Sequence, residues 1–347
     1  MKNIPTLLHA ILLLALCGAL AYGGDNSGAT ENMKDGNMKK VSFPNRNISI
    51  AGNVYLPDDF EPSQKYPAII VGHPAGGVKE QTAGLYAKKL AEKGFVTLAF
   101  DASYQGESGG EPRGLEDPAV RVEDFRCAAD FLSTLPYVDS SKIGAMGICG
   151  GGGFAISAAI TDHRIRAVAG LSAVDLGRLR REGLNGTLAA SVRERLDAVA
   201  EQRIREANGG EIKYVSYVPN SPEEIPEGAP EMYREGYEYY RTERAAHPNS
   251  TNRYTFTSLD KLIAFTAFDN LELLAPRPLL MIAGSRADSL YFSRDAVERA
   301  KAPKELFLVD GASHIDMYDK PQYVGLAVDK LADFFGEYLN NEMKGSK

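Results

Sequence analysis

Short apolar runs alternate with longer amphipathic stretches from residue 41 almost to the C-terminus. The central runs are apolar without interruption, which is typical of strands covered by helices on both faces. The predicted strands are 47–55, 68–72, 96–100, 142–147, 167–171, 278–283 and 305–309, and the predicted helices are 81–93, 118–135, 154–161, 293–300 and 321–339. This alternation predicts an α/β fold with a doubly wound, mostly parallel sheet.

The stretch 177–254 interrupts this alternation, because it is polar and helical and lacks the signal of a buried strand. It contains an amphipathic helix, a Pro- and Glu-rich connector at 219–230, and tyrosines at helical spacing, namely Tyr233, Tyr237 and Tyr240. We predict a helical lid inserted into a core that comprises 41–176 and 255–343. The tyrosines are expected to seal the lid onto the core rather than to bind a ligand.

The N-terminus predicts export. Lys2 precedes an apolar run at 11–16, and Ala19 and Ala21 place small residues at the −3 and −1 positions of a cleavage site. These features are typical of a secretory signal peptide at 1–21, followed by a flexible tether at 22–40 that is rich in Gly, Asn and Ser. The protein is therefore expected to be periplasmic or secreted. The alternative is a lipid anchor on Cys17, although Leu16 is not the small residue usual before a lipidated cysteine, and only this alternative predicts contact with a membrane.

Composition adds two constraints. The formal net charge of −7 and the lack of a dense Lys/Arg stripe argue against nucleic-acid binding. Cleavage after Ala21 leaves Cys127 and Cys149, and two cysteines do not make a disulfide framework. A free thiol is a liability in an oxidising compartment, so its presence requires a functional reason.

Cys149 has the sequence context of a nucleophile. The segment Gly147-Ile148-Cys149-Gly150-Gly151 leaves a strand and enters a helix, as in the G-x-nucleophile-x-G elbow with cysteine in the serine position. The helix N-terminus is expected to lower the thiol pKa. A dinucleotide-binding loop is excluded, because the segment does not supply G-x-G-x-x-G and lies mid-chain. An inert buried cysteine remains the alternative.

A thiol nucleophile needs a base and an orienting acid. His314 follows the strand 305–309, at the sheet edge where ligands bind in open α/β sheets. Asp288 follows the strand 278–283, and the order Cys149, Asp288, His314 is that of α/β-hydrolase triads. Asp310 is the rival acid, but it lies only four residues before His314.

The loop after the strand 68–72 is the predicted second half of an oxyanion hole. It offers the backbone N–H of Ala75, with Gly76 as the alternative, and Gly150 offers the other N–H. His73 is expected to hold this loop rather than to take part in catalysis.

This ordered set of motifs resembles the dienelactone hydrolase-related α/β-hydrolases, and most closely their polyketide transferase-like branch. The segments that carry the resemblance are His73-Pro74, 78–82, Phe100-Asp101 with Gly106 and Ser108, the elbow at 147–151, and the late Asp288 and His314. The resemblance implies a Cys-His-Asp triad that hydrolyses or transfers acyl groups of small molecules. It implies no cofactor, and no metal site is predicted.

The expected substrates are esters, lactones or thioesters, cleaved through a covalent thioester on Cys149. The alternatives are a peptidase of the same fold and a lidded binding protein that has lost turnover. No oligomeric state is predicted.

Overall fold

The computed structural model describes residues 37–301 and 303–340. The predicted signal peptide, Cys17 and the tether up to residue 36 lie outside the described residues, as do residues 341–343 of the predicted core. Among the described helices, none combines the length and the apolar character that a membrane crossing needs.

The fold is built around an eight-stranded sheet in the order β1-β2-β4-β3-β5-β6-β9-β10. The strands, including two short ones outside this sheet, are β1 Met38–Asn45, β2 Ile48–Tyr55, β3 Tyr66–Gly72, β4 Val96–Phe100, β5 Val138–Ile148, β6 Ile165–Leu171, β7 Tyr214–Ser216, β8 Arg253–Thr255, β9 Leu279–Gly284 and β10 Lys304–Val309. The pairs β1–β2 and β2–β4 are antiparallel, and the other pairs in the sheet are parallel. Parallel strands place their carboxyl ends at one edge, so the loops that follow β3, β5, β9 and β10 meet there.

Helices cover both faces of the sheet. They are α1 Thr82–Ala91, α2 Pro118–Thr134, α3 Gly150–Thr161, α4 Leu176–Glu182, α5 Val192–Ala207, α6 Glu231–Arg241, α7 Ser258–Ala264, α8 Leu290–Arg299, α9 Asp316–Asp319 and α10 Pro321–Asn340. Successive residues of β3 enter opposite layers: Ile70 packs with α2 and α3, whereas Ile69 and Val71 pack with α1 and α10. This burial on both faces explains the uninterrupted apolar runs of the central strands.

The first strand was not predicted. β1 begins at Met38 and pairs with β2 along its whole length, so the predicted boundary between tether and core at residue 41 is three residues too late. Its residues alternate between exposed and buried, and Lys39 and Lys40 are exposed, as is common for a strand at the sheet edge. This polar composition makes the start of the strand resemble a tether in the sequence.

The segment between β6 and β9, residues 172–278, is called the insert below. It contains α4 to α6, which correspond to the predicted helical lid at 177–254, and α7, which lies in the part predicted as core. It also contains the antiparallel pair β7–β8 that the prediction lacked. Strands of three residues are too short to give a periodic apolar signal. In α6 the fully buried tyrosines are Tyr239 and Tyr240, so the predicted stripe is correct at Tyr240 and misplaced at Tyr237.

Hydrogen bonds fix the insert to the core at separate points. The Tyr239 hydroxyl accepts from the backbone N–H of Thr82 at 3.0 Å, and the Ser250 hydroxyl donates to the carbonyl of Gly76 at 2.7 Å. Arg244 forms a two-point ion pair with Asp319. The insert therefore lies across the carboxyl edge of the sheet, over the loops that follow β3 and β10.

The turn from β5 into α3 depends on close backbone approach. Cys149 has φ +54° and ψ −123°, and its N–H and C=O are bonded to Leu171 and Val174. A Cβ at Gly147 would lie 2.1 Å from the carbonyl oxygen of Gly151, and one at Gly151 would lie 2.4 Å from that of His73. Only glycine fits these two positions, because the obstructing atoms belong to the backbone.

We therefore expect Gly147→Ala to destabilise the protein by at least about 3 kcal/mol, because the methyl group has no flexible side chain to displace. Gly325→Ala in α10 is the matched control: no atom lies within 4 Å of its added Cβ, and alanine should stabilise the helix by up to about 1 kcal/mol. Urea unfolding measures both. A Gly147→Ala variant as stable as the wild type would contradict the proposed packing of this turn.

Candidate active site

The Cys149 thiol lies at the carboxyl end of β5 among three hydrogen-bonding groups. The backbone N–H groups of Ala75 and Gly150 both interact with the sulfur, and so does the hydroxyl of Tyr318. Two N–H donors from separate loops thus converge on the Cys149 sulfur, and they belong to the two residues that the sequence analysis named, Ala75 and Gly150. Their role as an oxyanion hole stays a prediction.

Burial raises the pKa of the Cys149 thiol, although Tyr318, the two N–H groups and the positive charge of Arg180 act in the opposite direction. The expectation that the helix N-terminus would lower this pKa is therefore wrong in its net direction. The loss of water around the sulfur outweighs the dipole at the start of α3. A thiol whose pKa is raised in this way is neutral at pH 7.

His314 is buried and reaches the thiol through a tyrosine. Its Nε2 lies 3.1 Å from the hydroxyl of Tyr318, which in turn contacts the Cys149 thiol. Its Nδ1 lies 2.5 Å from the hydroxyl of Ser289. Burial lowers the pKa of His314 to about 3, so the imidazole is neutral at physiological pH. With Nδ1–H donating to Ser289, Nε2 is left to accept a proton from the direction of Cys149.

Asp288 has other contacts in this structure. Its Oδ2 accepts the backbone N–H of Met232 at 3.1 Å, in the first turn of α6, and so ties the insert to the core. Its Oδ1 is buried, and no donor within the described residues pairs with it. The Nδ1 contact that the sequence assigned to Asp288 is made by the next residue, Ser289. Asp310 is exposed and accepts from the Ser285 hydroxyl.

His73 shapes the loop that carries Ala75. Its Nδ1 donates to the carbonyl of Pro74 at 2.7 Å, and its Nε2 accepts the N–H of Ala102 at 3.1 Å. Both ring nitrogens are thus used within the protein, as expected for a structural histidine. Gly76 contacts Tyr217 and Ser250 instead of the thiol, which leaves Ala75 as the donor from this loop.

A cavity of about 60 Å³ adjoins the thiol and is lined mainly by apolar and aromatic side chains from the insert. Its lining residues are Ala75, Cys149, Leu176, Leu179, Arg180, Tyr217, Val218, Met232, Tyr233, Gly236, Tyr240, His314, Ile315 and Tyr318. The hydroxyl of Tyr217 is fixed by a 2.7 Å hydrogen bond to Glu116. This cavity is far smaller than the roughly 300–1,000 Å³ of typical ligand pockets. It therefore admits a short acyl group while the insert stays in place.

Sequence reasoning missed four residues of this site: Arg180, Tyr217, Ser289 and Tyr318. Tyr318 follows His314 by only four residues, which was an available signal of a contact, although His314 precedes α9 and the two residues do not share a helix. Ser289 is adjacent to the predicted acid. Arg180 and Tyr217 lie in the insert and come near Cys149 only through long-range packing.

A cluster of three carboxylates lies near the site, formed by Glu80, Asp101 and Glu107. The Nζ of buried Lys79 lies 2.6–2.8 Å from an oxygen of each of them. The ammonium group of Lys79 thus occupies the centre of the cluster, where a metal ion would otherwise bind. Asp101 also accepts from the backbone of Lys79 and Glu107, so its role is to shape the loop after β4.

The sheet order, the strained turn at the nucleophile and the helices on both faces define an α/β-hydrolase. The dienelactone hydrolase family matches residues 50–176. The uncharacterized protein YcjY of Escherichia coli K12 is 44 % identical over 305 residues, which cover 86 % of this chain and 99 % of YcjY. The chain belongs to the dienelactone hydrolase family, and it is a hydrolase of the kind that acts on ester bonds.

Two further relatives extend the comparison. The crystal structure of hypothetical protein PA2218 from Pseudomonas aeruginosa has a TM-score of 0.81 at 40 % identity and covers 87 % of this chain and 93 % of its own. The thiohydrolase aneE of Aspergillus aculeatus is 26 % identical over 272 residues, or 77 % of this chain and 83 % of aneE.

The acid assignment can be tested with isosteric amides. The sequence assigns the orienting acid to Asp288, so we expect Asp288→Asn to lower kcat/KM at least roughly tenfold more than Asp310→Asn. Asp288 precedes Ser289, which contacts Nδ1 of His314, whereas Asp310 is exposed and bonds to Ser285. Asparagine keeps an oxygen that can accept the Met232 N–H, so a loss reports the missing charge rather than a detached insert. The rate of ester hydrolysis at several substrate concentrations gives kcat/KM for both variants.

Ser289→Ala is the companion variant, because it removes the hydroxyl that contacts Nδ1. If Asp288→Asn and Asp310→Asn have the same small effect while Ser289→Ala is impaired, the orienting group is the serine and the assignment of Asp288 fails.

Proposed function

We propose that this protein cleaves short-chain esters, thioesters or lactones through a covalent thioester on Cys149, with His314 as the base. The observation that carries the proposal is the convergence on one thiol of two backbone N–H groups and a tyrosine bonded to a neutral, buried imidazole. An inert core cysteine does not require this set of partners. Cys127, which is also free, lies on α2 and has a pKa raised by burial to about 11.

The proton path follows from the order of these contacts. As Cys149 attacks the carbonyl carbon, its proton passes to the Tyr318 oxygen while the Tyr318 proton passes to Nε2 of His314. The carbonyl π electrons move to oxygen, where the N–H groups of Ala75 and Gly150 stabilise the negative charge. Collapse of the tetrahedral intermediate expels the alkoxide or thiolate, which takes the proton back from His314. A water molecule then repeats the sequence on the thioester and releases the acid and the Cys149 thiol.

The neutral resting thiol favours general-base attack over a preformed thiolate–imidazolium pair. A protonated His314 would lack a carboxylate at Nδ1, where Ser289 lies, so the imidazolium is transient. Because the imidazolium is not stabilised by a carboxylate, proton transfer to His314 has little driving force. Substrates with good leaving groups suit such a site. Ordinary amides are poorer candidates, since amines leave less readily than thiolates. The peptidase alternative is weaker for this reason.

The acceptor of the acyl group is either water or a second nucleophile. The relative aneE is named a thiohydrolase, and drtE of Aspergillus calidoustus, 24 % identical, is named an acyltransferase. Hydrolysis is the simpler proposal, because the half-buried Cys149 needs only a small molecule to reach it. The insert is proposed to act as a lid, since its side chains form most of the cavity wall and contribute no base.

Export is proposed from the N-terminal pattern of a charged residue, an apolar run and small residues before position 22. Export is compatible with the state of the cysteines, because Cys127 and Cys149 are both free within the described residues and form no disulfide with each other.

Cys149→Ala should lower the hydrolysis of 4-nitrophenyl butyrate by roughly 10³-fold or more, because no other group can form the thioester. Unfolding midpoints in urea should stay close to those of the wild type. The matched control is Cys127→Ala, which removes the other described thiol and should retain activity. Activity of Cys149→Ala within a few-fold of the wild type would refute the covalent mechanism.

Alkylation of Cys149 by iodoacetamide separates an enzyme from a binding protein that has lost turnover. Because the thiol pKa is raised, labelling should be slow at pH 7 and should accelerate about tenfold per pH unit up to pH 9. Mass spectrometry of the modified peptide reads this rate. A substrate that acylates Cys149 should protect it, and a lack of protection in a protein without turnover would favour the binding-protein alternative.

For export, expression of the full chain in a Gram-negative host should yield a periplasmic protein that begins at Tyr22. Intact-mass measurement of the fractionated protein tests the cleavage. A mass that retains residues 1–21 in the cytoplasmic fraction would contradict export, and a lipid-modified product beginning at Cys17 would establish the anchor instead.

A further inference from the structure

Arg180 contributes a positive charge to the wall of the cavity next to Cys149. It lies on α4, whose first turn is capped by Asp175 through a 2.9 Å hydrogen bond from the N–H of Arg178. At Gly177 the helix packs so closely that an added Cβ would lie 1.9 Å from the carbonyl oxygen of Phe265. The backbone of the helix is therefore fixed in place next to the cavity.

No carboxylate in the described part of the chain forms a hydrogen bond or an ion pair with the guanidinium of Arg180, and Glu116 acts on it only through its charge. The Arg180 Nε is buried and makes no hydrogen bond, and the centroid of the Tyr254 ring lies 5.0 Å from the guanidinium carbon. The neighbouring arginines differ: Arg178 bonds to Glu182, and Arg181 bonds to two backbone carbonyls. Buried polar groups are normally paired, because leaving one without a partner costs free energy.

No residue that lines the cavity forms an ion pair with this charge, and Tyr217 and Tyr233 face it only as neutral phenols. The lining residues other than Arg180 include no carboxylate, and Leu176, Leu179 and Met232 make much of the wall apolar. Arg180 is also close enough to Cys149 for its charge to act on the thiol. A substrate held at Cys149 would thus bring its acyl chain into an apolar space that contains one unpaired cation.

Resting on the function proposed above, we propose that the acyl group carries a terminal carboxylate, which Arg180 binds. The planar guanidinium presents paired N–H donors that match a carboxylate. The small volume of the cavity limits the chain between the two carbonyl carbons to a few methylenes. The preferred substrates are then monoesters or monothioesters of short dicarboxylic acids.

The test compares two esters of equal chain length, mono-4-nitrophenyl glutarate and 4-nitrophenyl pentanoate, each corrected for spontaneous hydrolysis. The wild type should prefer the glutarate ester in kcat/KM by roughly 10- to 100-fold, the range expected for a hydrogen-bonded charge pair. In Arg180→Met this ratio should fall to about one or below. Arg180→Lys keeps the charge without the planar fork and should give an intermediate ratio.

Arg205→Met is the matched control, because Arg205 lies on α5 of the same insert with an exposed side chain paired to Glu201. It should keep the wild-type ratio. A wild type that cleaves both esters equally well would overturn the proposal. So would an Arg180→Met variant that loses activity on both esters by the same factor, since Arg180 would then support the fold through Tyr254.

A binding measurement separates this proposal from the proposed function. In the Cys149→Ala background, millimolar glutarate should raise Tm, and adding Arg180→Met should abolish the increase. Stabilisation by glutarate without cleavage of either ester would refute the acyl chemistry and keep the anion site. Ester cleavage without stabilisation by glutarate and without preference for the glutarate ester would refute the anion site and keep the acyl chemistry.

Discussion

The strained turn at Cys149 is the constraint on which the rest of the site depends. A non-glycine residue at positive φ is costly, and here the backbone of Cys149 is held by hydrogen bonds from both sides. The turn forms only because Gly147 and Gly151 let β5, α3 and the loop after β3 approach to backbone contact. That approach brings the N–H of Ala75 to the sulfur. The positions of the thiol and of this N–H group are thus consequences of one packing arrangement.

Burial sets the electrostatics of the site. It raises the thiol pKa of Cys149 and lowers the pKa of His314, so both groups are neutral before the substrate arrives. In the mechanism proposed above, charge develops only when the thiol attacks. The fixed N–H groups and the Tyr318 hydroxyl then interact more strongly with that charge than they would in water. The unpaired guanidinium of Arg180 acts in the same apolar setting.

The central strands and their covering helices were predictable because their apolar runs reflect burial on two faces. β3 and β9 were predicted to within two residues of their observed bounds. β1 was missed, because an edge strand with exposed lysines has the composition of a tether. The pair β7–β8 was missed, because three residues are too few to establish a period. In both cases pairing with another strand, rather than the apolar pattern of the strand itself, determines the structure.

The sequence by itself determined the α/β class, and it named the turn at Cys149, the loop at Ala75 and His314 as neighbours in the fold. These follow from local signals, namely glycine spacing, strand ends and chain order. Tertiary structure alone decided that Tyr318 stands between thiol and imidazole, that Ser289 contacts Nδ1 while Asp288 holds the insert, and that Arg180 faces the cavity. Each of these depends on where side chains far apart in sequence come to lie, because contacts across the carboxyl edge of the sheet are fixed by packing and not by spacing along the chain.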